Sequence, residues 1–143
     1  MIKKILLVDD DLDDADFLDD GIKQFSTQIE FTHVESCEDL FGHLALNIND
    51  LPDLIFMDLN MPKVSGFQCL KKLKITDDYK KIPVFMYSTS SLDHDKEMAR
   101  DLGAAGFVTK PFDSNSLAEI LKAIFSRDRN QGFSKYDYSN SGY

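Results

Sequence analysis

Ile5-Leu6-Leu7-Val8-Asp9-Asp10 is the stretch on which the reading of this chain turns. Four apolar residues in unbroken succession are too few for a helix and do not alternate with polar ones. They predict a strand covered on both faces. The run then stops on carboxylates. The same pattern returns at Leu54-Ile55-Phe56-Met57-Asp58 and, ending on a hydroxyl, at Pro83-Val84-Phe85-Met86-Tyr87-Ser88. Ile29-Glu30-Phe31-Thr32-His33-Val34 and Phe107-Val108-Thr109 supply a second and a fifth strand.

Helical periodicity fills the intervals. Phe17, Ile22 and Phe25 predict a helix from about Asp14 to Phe25. Ser36 with Asp39 forms the expected capping box of a second helix, whose apolar side carries Leu40, Phe41 and Leu44. Phe67, Leu70, Leu73 and Lys74 describe a third, and a fourth ends near Leu102-Gly103. Leu117, Ile120, Leu121 and Ile124 are the stripe of a last helix, with Ser116 and Glu119 as its expected box. Strict strand–helix alternation implies an α/β fold: a doubly wound, five-stranded parallel sheet with five helices on its two faces. The folded domain is expected over 1–126. Residues 127–143 lack an apolar period and are expected to form a flexible tail.

Composition sets the outer bounds. The 143 residues suit one domain, and 43% hydrophobic with 29% charged residues is ordinary for a globular chain. A net charge of −9 argues against binding nucleic acid or an anionic membrane surface. The apolar stretch after Met1 falls short of the roughly 7–15 residues of a signal peptide. No window approaches the roughly 18 apolar residues of a membrane span. Cys37 and Cys69 fit no metal-ligand spacing and are expected as reduced, half-buried thiols outside any disulfide. A cytoplasmic location follows as an expectation.

Twenty of the 25 acids are Asp, and eight of them crowd between Asp9 and Asp20. In an open doubly wound sheet, ligands bind beyond the carboxyl ends of the strands. There the chain places Asp9 and Asp10 after strand one, Asp58 after strand three, Ser88 after strand four and Lys110-Pro111 after strand five. A flavin or nucleotide site would need a phosphate-cradling loop after strand one, and this loop is acidic. Two carboxylates about 4 Å apart repel by roughly 4 kcal/mol at an effective dielectric of 20, so a hard divalent cation is expected among them. Oxygen ligands favour Mg²⁺, held by Asp10 and Asp58, by Asp9 directly or through water, and by the backbone carbonyl of Asn60. A metal beside a strand-tip carboxylate suggests an aspartyl phosphate, with Lys110 and Ser88 contacting the phosphoryl oxygens. Lys110-Pro111 suggests a cis peptide aiming the lysine inward.

These residues resemble the receiver domains of two-component response regulators over Ile2 to about Phe125. The resemblance rests on Val8-Asp9-Asp10, on Met57-Asp58-Leu59-Asn60-Met61-Pro62 through Gly66, on Ser88, and on Lys110-Pro111-Phe112. It implies the flavodoxin-like strand order 2-1-3-4-5. It also implies Asp58 as phospho-acceptor, Asp9 and Asp10 as the Mg²⁺-holding pair, and Lys110 as phosphoryl contact. Ser88 and Phe107 stand where the family places its switch hydroxyl and switch aromatic, the latter often Tyr. Asn60 and Ser90 would flank the acyl phosphate and set its lifetime. The implied partners are a sensor histidine kinase or phosphotransfer protein and a downstream protein target, with homodimerisation on activation left open. The chain ends after the fifth helix, so a stand-alone receiver is expected, similar to those associated with phytochrome-type kinases. Such a chain is not an enzyme acting on a separate substrate, although it promotes its own phosphorylation and dephosphorylation.

Other readings of single residues stand beside these. Asp11, Asp13, Asp14, Asp16, Asp19 and Asp20 are expected as a solvated helix start favoured by the helix dipole. His33, His43 and His94 are expected at surface or boundary positions. Tyr136, Tyr138 and Tyr143 are expected in the tail. A receiver-like module that binds its partner without phosphorylation would leave the acidic pair and Lys110 without a purpose. A phosphatase with an aspartyl nucleophile would want a second acid two residues on, where the chain has Asn60.

Overall fold

The computed structural model describes residues 2–126, so the expected tail at 127–143 lies outside the described residues. The order is β1 (Lys4–Val8), α1 (Leu12–Phe25), β2 (Glu30–Val34), α2 (Cys37–Leu46), β3 (Leu54–Met57), α3 (Gly66–Ile75), β4 (Val84–Ser88), α4 (Asp93–Asp101), β5 (Gly106–Thr109) and α5 (Ser114–Phe125). All strand pairs are parallel, in the order β2-β1-β3-β4-β5. The alternation of strands and helices predicted this architecture, and it holds.

The apolar runs are continuous because each strand feeds two cores. Leu6 and Val8 of β1 face one side with Ile55, Met57, Met86 and Phe107, covered by Leu40 and Leu44 of α2 and Leu70 and Leu73 of α3. Ile5 and Leu7 face the other with Phe56, Phe85 and Tyr87, covered by Leu18 and Ile22 of α1 and the predicted α5 stripe. Burying each such side chain contributes about 1.5–3 kcal/mol. The strand tips are therefore carried on a rigid layer.

Caps differ from the sequence reading at both ends of the chain. Helix α1 begins at Leu12, before the expected Asp14, because the Asp11 carboxylate accepts the N–H groups of Asp13 and Asp14. Helix α5 is capped by Asp113, which accepts from Ser116 N–H, so the expected box of Ser116 with Glu119 does not form. Ser36 caps α2, accepting from Asp39 N–H, but the reciprocal half of the expected box, from the Asp39 side chain, does not form. Ser65 and Gln68 form a reciprocal box at the start of α3.

The cysteines correct the sequence reading outright. Cys37, the first residue of α2, and Cys69 in α3 are joined in a disulfide, with Cα atoms 5.8 Å apart. Both are buried rather than half-buried. Their separation of 32 residues conceals the pairing. Two crossover helices on the same face of a parallel sheet become neighbours whatever the length of chain between them.

Candidate functional site

The site is assembled where β1, β3, β4 and β5 end. Asp9 follows β1 and is completely buried, and every polar group it carries is engaged. Its N–H donates to Val34 O at 3.0 Å. Its carbonyl accepts from His33 Nε2 at 2.6 Å, which fixes the imidazole proton on that nitrogen. Its carboxylate accepts from Asp11 N–H through Oδ1 at 2.9 Å and from Lys110 Nζ through Oδ2 at 2.9 Å.

Asp58 follows β3 and is 5% exposed. Its N–H donates to Val8 O at 2.8 Å, tying the tip of β3 to β1. Helix α3 closes over its carbonyl. A Cβ on Gly66 would lie 2.2 Å from Asp58 O and 2.8 Å from Leu59 Cα, so only glycine fits there. Gly66 N–H donates to Leu59 O at 2.9 Å, closing the intervening loop. Within that loop Lys63 takes a positive φ of 67°. Val64 N–H donates to Pro62 O at 2.8 Å across it, a tight three-residue turn.

Lys110 leaves β5 and gathers the carboxylates. Its Nζ lies 2.9 Å from Asp9 Oδ2, 2.7 Å from Asp14 Oδ2 and 3.5 Å from Asp58 Oδ1. The Tyr87 ring lies beneath it, 5.5 Å from Nζ to the centroid. The Lys110 N–H donates to Ser88 O at 2.7 Å. The expected cis bond at Lys110-Pro111 is corrected, since the described residues contain no cis peptide. Trans is the ordinary preference by about 0.5–1 kcal/mol, and the trans chain already delivers Nζ to three carboxylates.

Electrostatics follow from burial. Burial lifts the Asp58 carboxyl from 3.8 to about 6; Lys110 pulls it down, the Asp9 charge pushes it up, and a hydrogen bond from the Asn60 backbone opposes the rise. Burial works against the Lys110 charge, but hydrogen bonds to Asp14 and Asp9 and the Asp58 charge outweigh it, leaving the ammonium above its ordinary value. Burial likewise raises the Tyr87 phenol, keeping it neutral beside the site.

Carboxylate oxygens of Asp9, Asp10 and Asp58 all lie within 4.8 Å of one another, with Asp10 exposed and the other two buried. Such an all-oxygen, half-open donor set fits a hard divalent cation that retains some of its waters. The sequence reading had these three residues, and the fold brings them together. Ser88 is fully buried and its Oγ accepts from Ser90 N–H at 3.1 Å. Ser90 in turn donates through Oγ to Asp95 Oδ2 at 2.6 Å and accepts through its carbonyl from Thr109 Oγ1 at 3.0 Å, fixing the loop after β4. Phe107 is fully buried, opposite Met86 in the register, in the core that also holds Ala99 and Ala104. The Asn60 residue is exposed at the mouth.

Two contributors were not legible. Asp14 belongs by sequence to the solvated helix start, yet its carboxylate binds Lys110. Its position one turn into a helix that begins at the site was the available signal. His33 lies half-buried at a boundary, as the sequence predicts, and from there it grips the Asp9 backbone, a role the sequence does not reveal. In the register Leu7 stands opposite His33, one residue short of the strand tip, and that was its signal.

Comparison with known proteins bears on the whole chain. The family model of the response regulator receiver domain matches residues 5–122. The polar-differentiation response regulator DivK of Brucella anthropi is 30% identical over 86% of this chain and 96% of its own length. The transcriptional regulator RpaA of Synechocystis is 30% identical over 87% of this chain, which spans 49% of that protein. The chain spans about a third to just over half of several other curated regulators that it matches. The phosphorylated cyanobacterial phytochrome response regulator RcpA superposes with a TM-score of 0.77 at 30% identity, covering 87% of this chain and 91% of that one. The Mn²⁺-bound response regulator Rcp1 gives 0.74 at 28%, covering 87% and 92%. With a matched span running from β1 into α5 and the strand order found above, this chain belongs to the family of response regulator receiver domains.

Proposed function

We propose that this receiver accepts a phosphoryl group on Asp58 from a sensor histidine kinase or phosphotransfer protein and signals by binding a downstream protein. One observation carries the reading: a buried acceptor carboxylate sits 3.5 Å from a lysine and within 4.8 Å of two further carboxylates. A structural carboxylate would not need that company. The carboxylate oxygen of Asp58 attacks phosphorus, the N–P bond of the phosphohistidine breaks, and the imidazole nitrogen keeps the electron pair and takes a proton.

Asp9, Asp10, Asp58 and the Asn60 carbonyl are the residues that would hold Mg²⁺, which supplies charge neutralisation for the transferring oxygens. Lys110 exchanges part of its contact with Asp9 for the new phosphoryl oxygens. Ser88 turns its hydroxyl toward the same group, drawing on the loop that Ser90 anchors, and Phe107 adjusts within its buried seat. The altered surface of β4, α4, β5 and α5 is the output, with the chain itself as one candidate partner through α4 and α5. The similarity to DivK over nearly all of that regulator, and to RcpA, supports a single-domain mode of action. A cytoplasmic setting accords with these partners, and among the described residues no helix is long and apolar enough to cross a membrane.

The test is transfer from a panel of autophosphorylated histidine kinases in Mg²⁺. Rapid, acid-stable and base-labile labelling, absent in D58N and in chelator, is the expected result. Labelling that survives in D58N would refute the assignment.

A further inference from the structure

We propose that Cys37 and Cys69 form a redox input to the receiver site, with the disulfide speeding phosphoryl acceptance and its reduction slowing it. The inference rests on the receiver reading above and adds a second signal to it.

The bond is placed where it can act. Asp9 is held from β2, by Val34 O and by the His33 imidazole. Three residues beyond Val34 comes Cys37. Asp58 is held from α3, whose Gly66 packs on its carbonyl and donates to Leu59 O. Three residues beyond Gly66 comes Cys69. Asp58 N–H donates to Val8 O, joining the two arms at the sheet. The disulfide joins them again at the helices, so the backbone supports of Asp9 and Asp58 lie on one closed circuit. Reduction opens that circuit on the helix side and leaves it closed at the sheet. Reacting groups held to a fraction of an ångström react faster than the same groups on a looser frame.

The chemistry balances with ordinary cellular thiols. A dithiol reductant attacks one sulfur, its second thiol resolves the mixed disulfide, and the pair leaves as two thiols while the reductant becomes a disulfide. In the forward direction a peroxide oxidises one thiol to a sulfenic acid with loss of water. The second thiol then displaces the sulfenic oxygen as a second water, forming the bond. In a reducing compartment such a bond is transient, which is the usual setting of redox-sensing pairs.

The experiment measures phosphorylation of the full chain by acetyl phosphate with Mg²⁺ after peroxide oxidation and after dithiol reduction. Intact mass verifies the bond state, and circular dichroism verifies the fold. The oxidised chain should label about fivefold faster or more, the low end of typical coupling between sites. Re-oxidation should restore the rate, and C37S and C69S should each be indifferent to redox state. Equal rates in the two verified states would overturn the inference while leaving the receiver reading intact. So would a redox effect that persists in C37S, or a reduced chain that no longer folds at the assay temperature. A chain that labels in neither state would remove the receiver reading and this inference with it.

Discussion

Asp14 Oδ2 lies 2.7 Å from Lys110 Nζ, closer than either Asp9 Oδ2 at 2.9 Å or Asp58 Oδ1 at 3.5 Å. The lysine is thus shared by three acids, of which Asp9 and Asp58 belong to the carboxylate triplet that could hold a metal ion and Asp14 does not. Asp14 holds the ammonium from the helix side. Under the proposed function this division separates positioning of the ammonium from ligation of the metal.

Two substitutions resolve the division. D10N should weaken Mg²⁺ binding by about tenfold or more, because it removes an oxygen from the triplet. D14N should leave Mg²⁺ affinity nearly unchanged and lower stability by about 0.5–1 kcal/mol, since Asp14 is partly exposed and its ion pair is screened. Calorimetric titration with Mg²⁺ and urea denaturation provide the two readings.

The Asp58 carboxyl makes stability depend on pH. Its folded pKa of about 6 lies above the ordinary 3.8, so the native state binds the proton more tightly than the unfolded chain does. The benefit of the protonated form is complete below 3.8 and is lost as pH rises through about 6. D58N removes the buried charge and should therefore be more stable than wild type at pH 7.5, by on the order of 1–3 kcal/mol. The gap should close as the pH approaches 4. Added Mg²⁺ should narrow it at neutral pH by stabilising wild type alone. Thermal denaturation across pH, with and without Mg²⁺, measures all three.

Helix α3 reports on the acceptor loop through one glycine. G66A places a methyl group 2.2 Å from the Asp58 carbonyl oxygen and 2.8 Å from Leu59 Cα, both backbone atoms. The helix start or the loop must move, at a cost of about 1–3 kcal/mol. We expect lower stability by urea unfolding together with slower labelling of Asp58. A stable G66A with unchanged labelling would show that α3 does not position the acceptor.

The disulfide closes a loop of 32 residues, for which the chain-entropy relation gives about 3–4 kcal/mol of stabilisation. Urea unfolding of wild type with and without a dithiol should show a loss of that order and two thiols available for alkylation.

Much of this was readable in the residues because burial writes itself into sequence. Ile5 to Val8 and Leu54 to Met57 are unbroken apolar runs since helices cover both faces of their strands, and the acids that end them fall at the strand tips by topology. The unreadable part concerns directions and adjacencies that no local pattern encodes. Cys37 and Cys69 meet only because α2 and α3 share a face. Asp14 looks like its neighbours Asp13 and Asp16 until the helix is placed and its carboxylate turns to Lys110. Asp113 caps α5 in place of the predicted Ser116 because its carboxylate accepts both the N–H and the hydroxyl of Ser116, which starts the helix one turn earlier. Lys110-Pro111 takes the ordinary trans form, and the lysine reaches its partners from it.

The proposed function makes Asp58 a phospho-acceptor in a metal-dependent site. Intact-mass spectrometry after incubation with acetyl phosphate and Mg²⁺ addresses it most directly. One added phosphoryl group is expected, located by borohydride reduction of the acyl phosphate at Asp58, and none in D58N or in chelator. No added mass in wild type, or the same added mass in D58N, would contradict it.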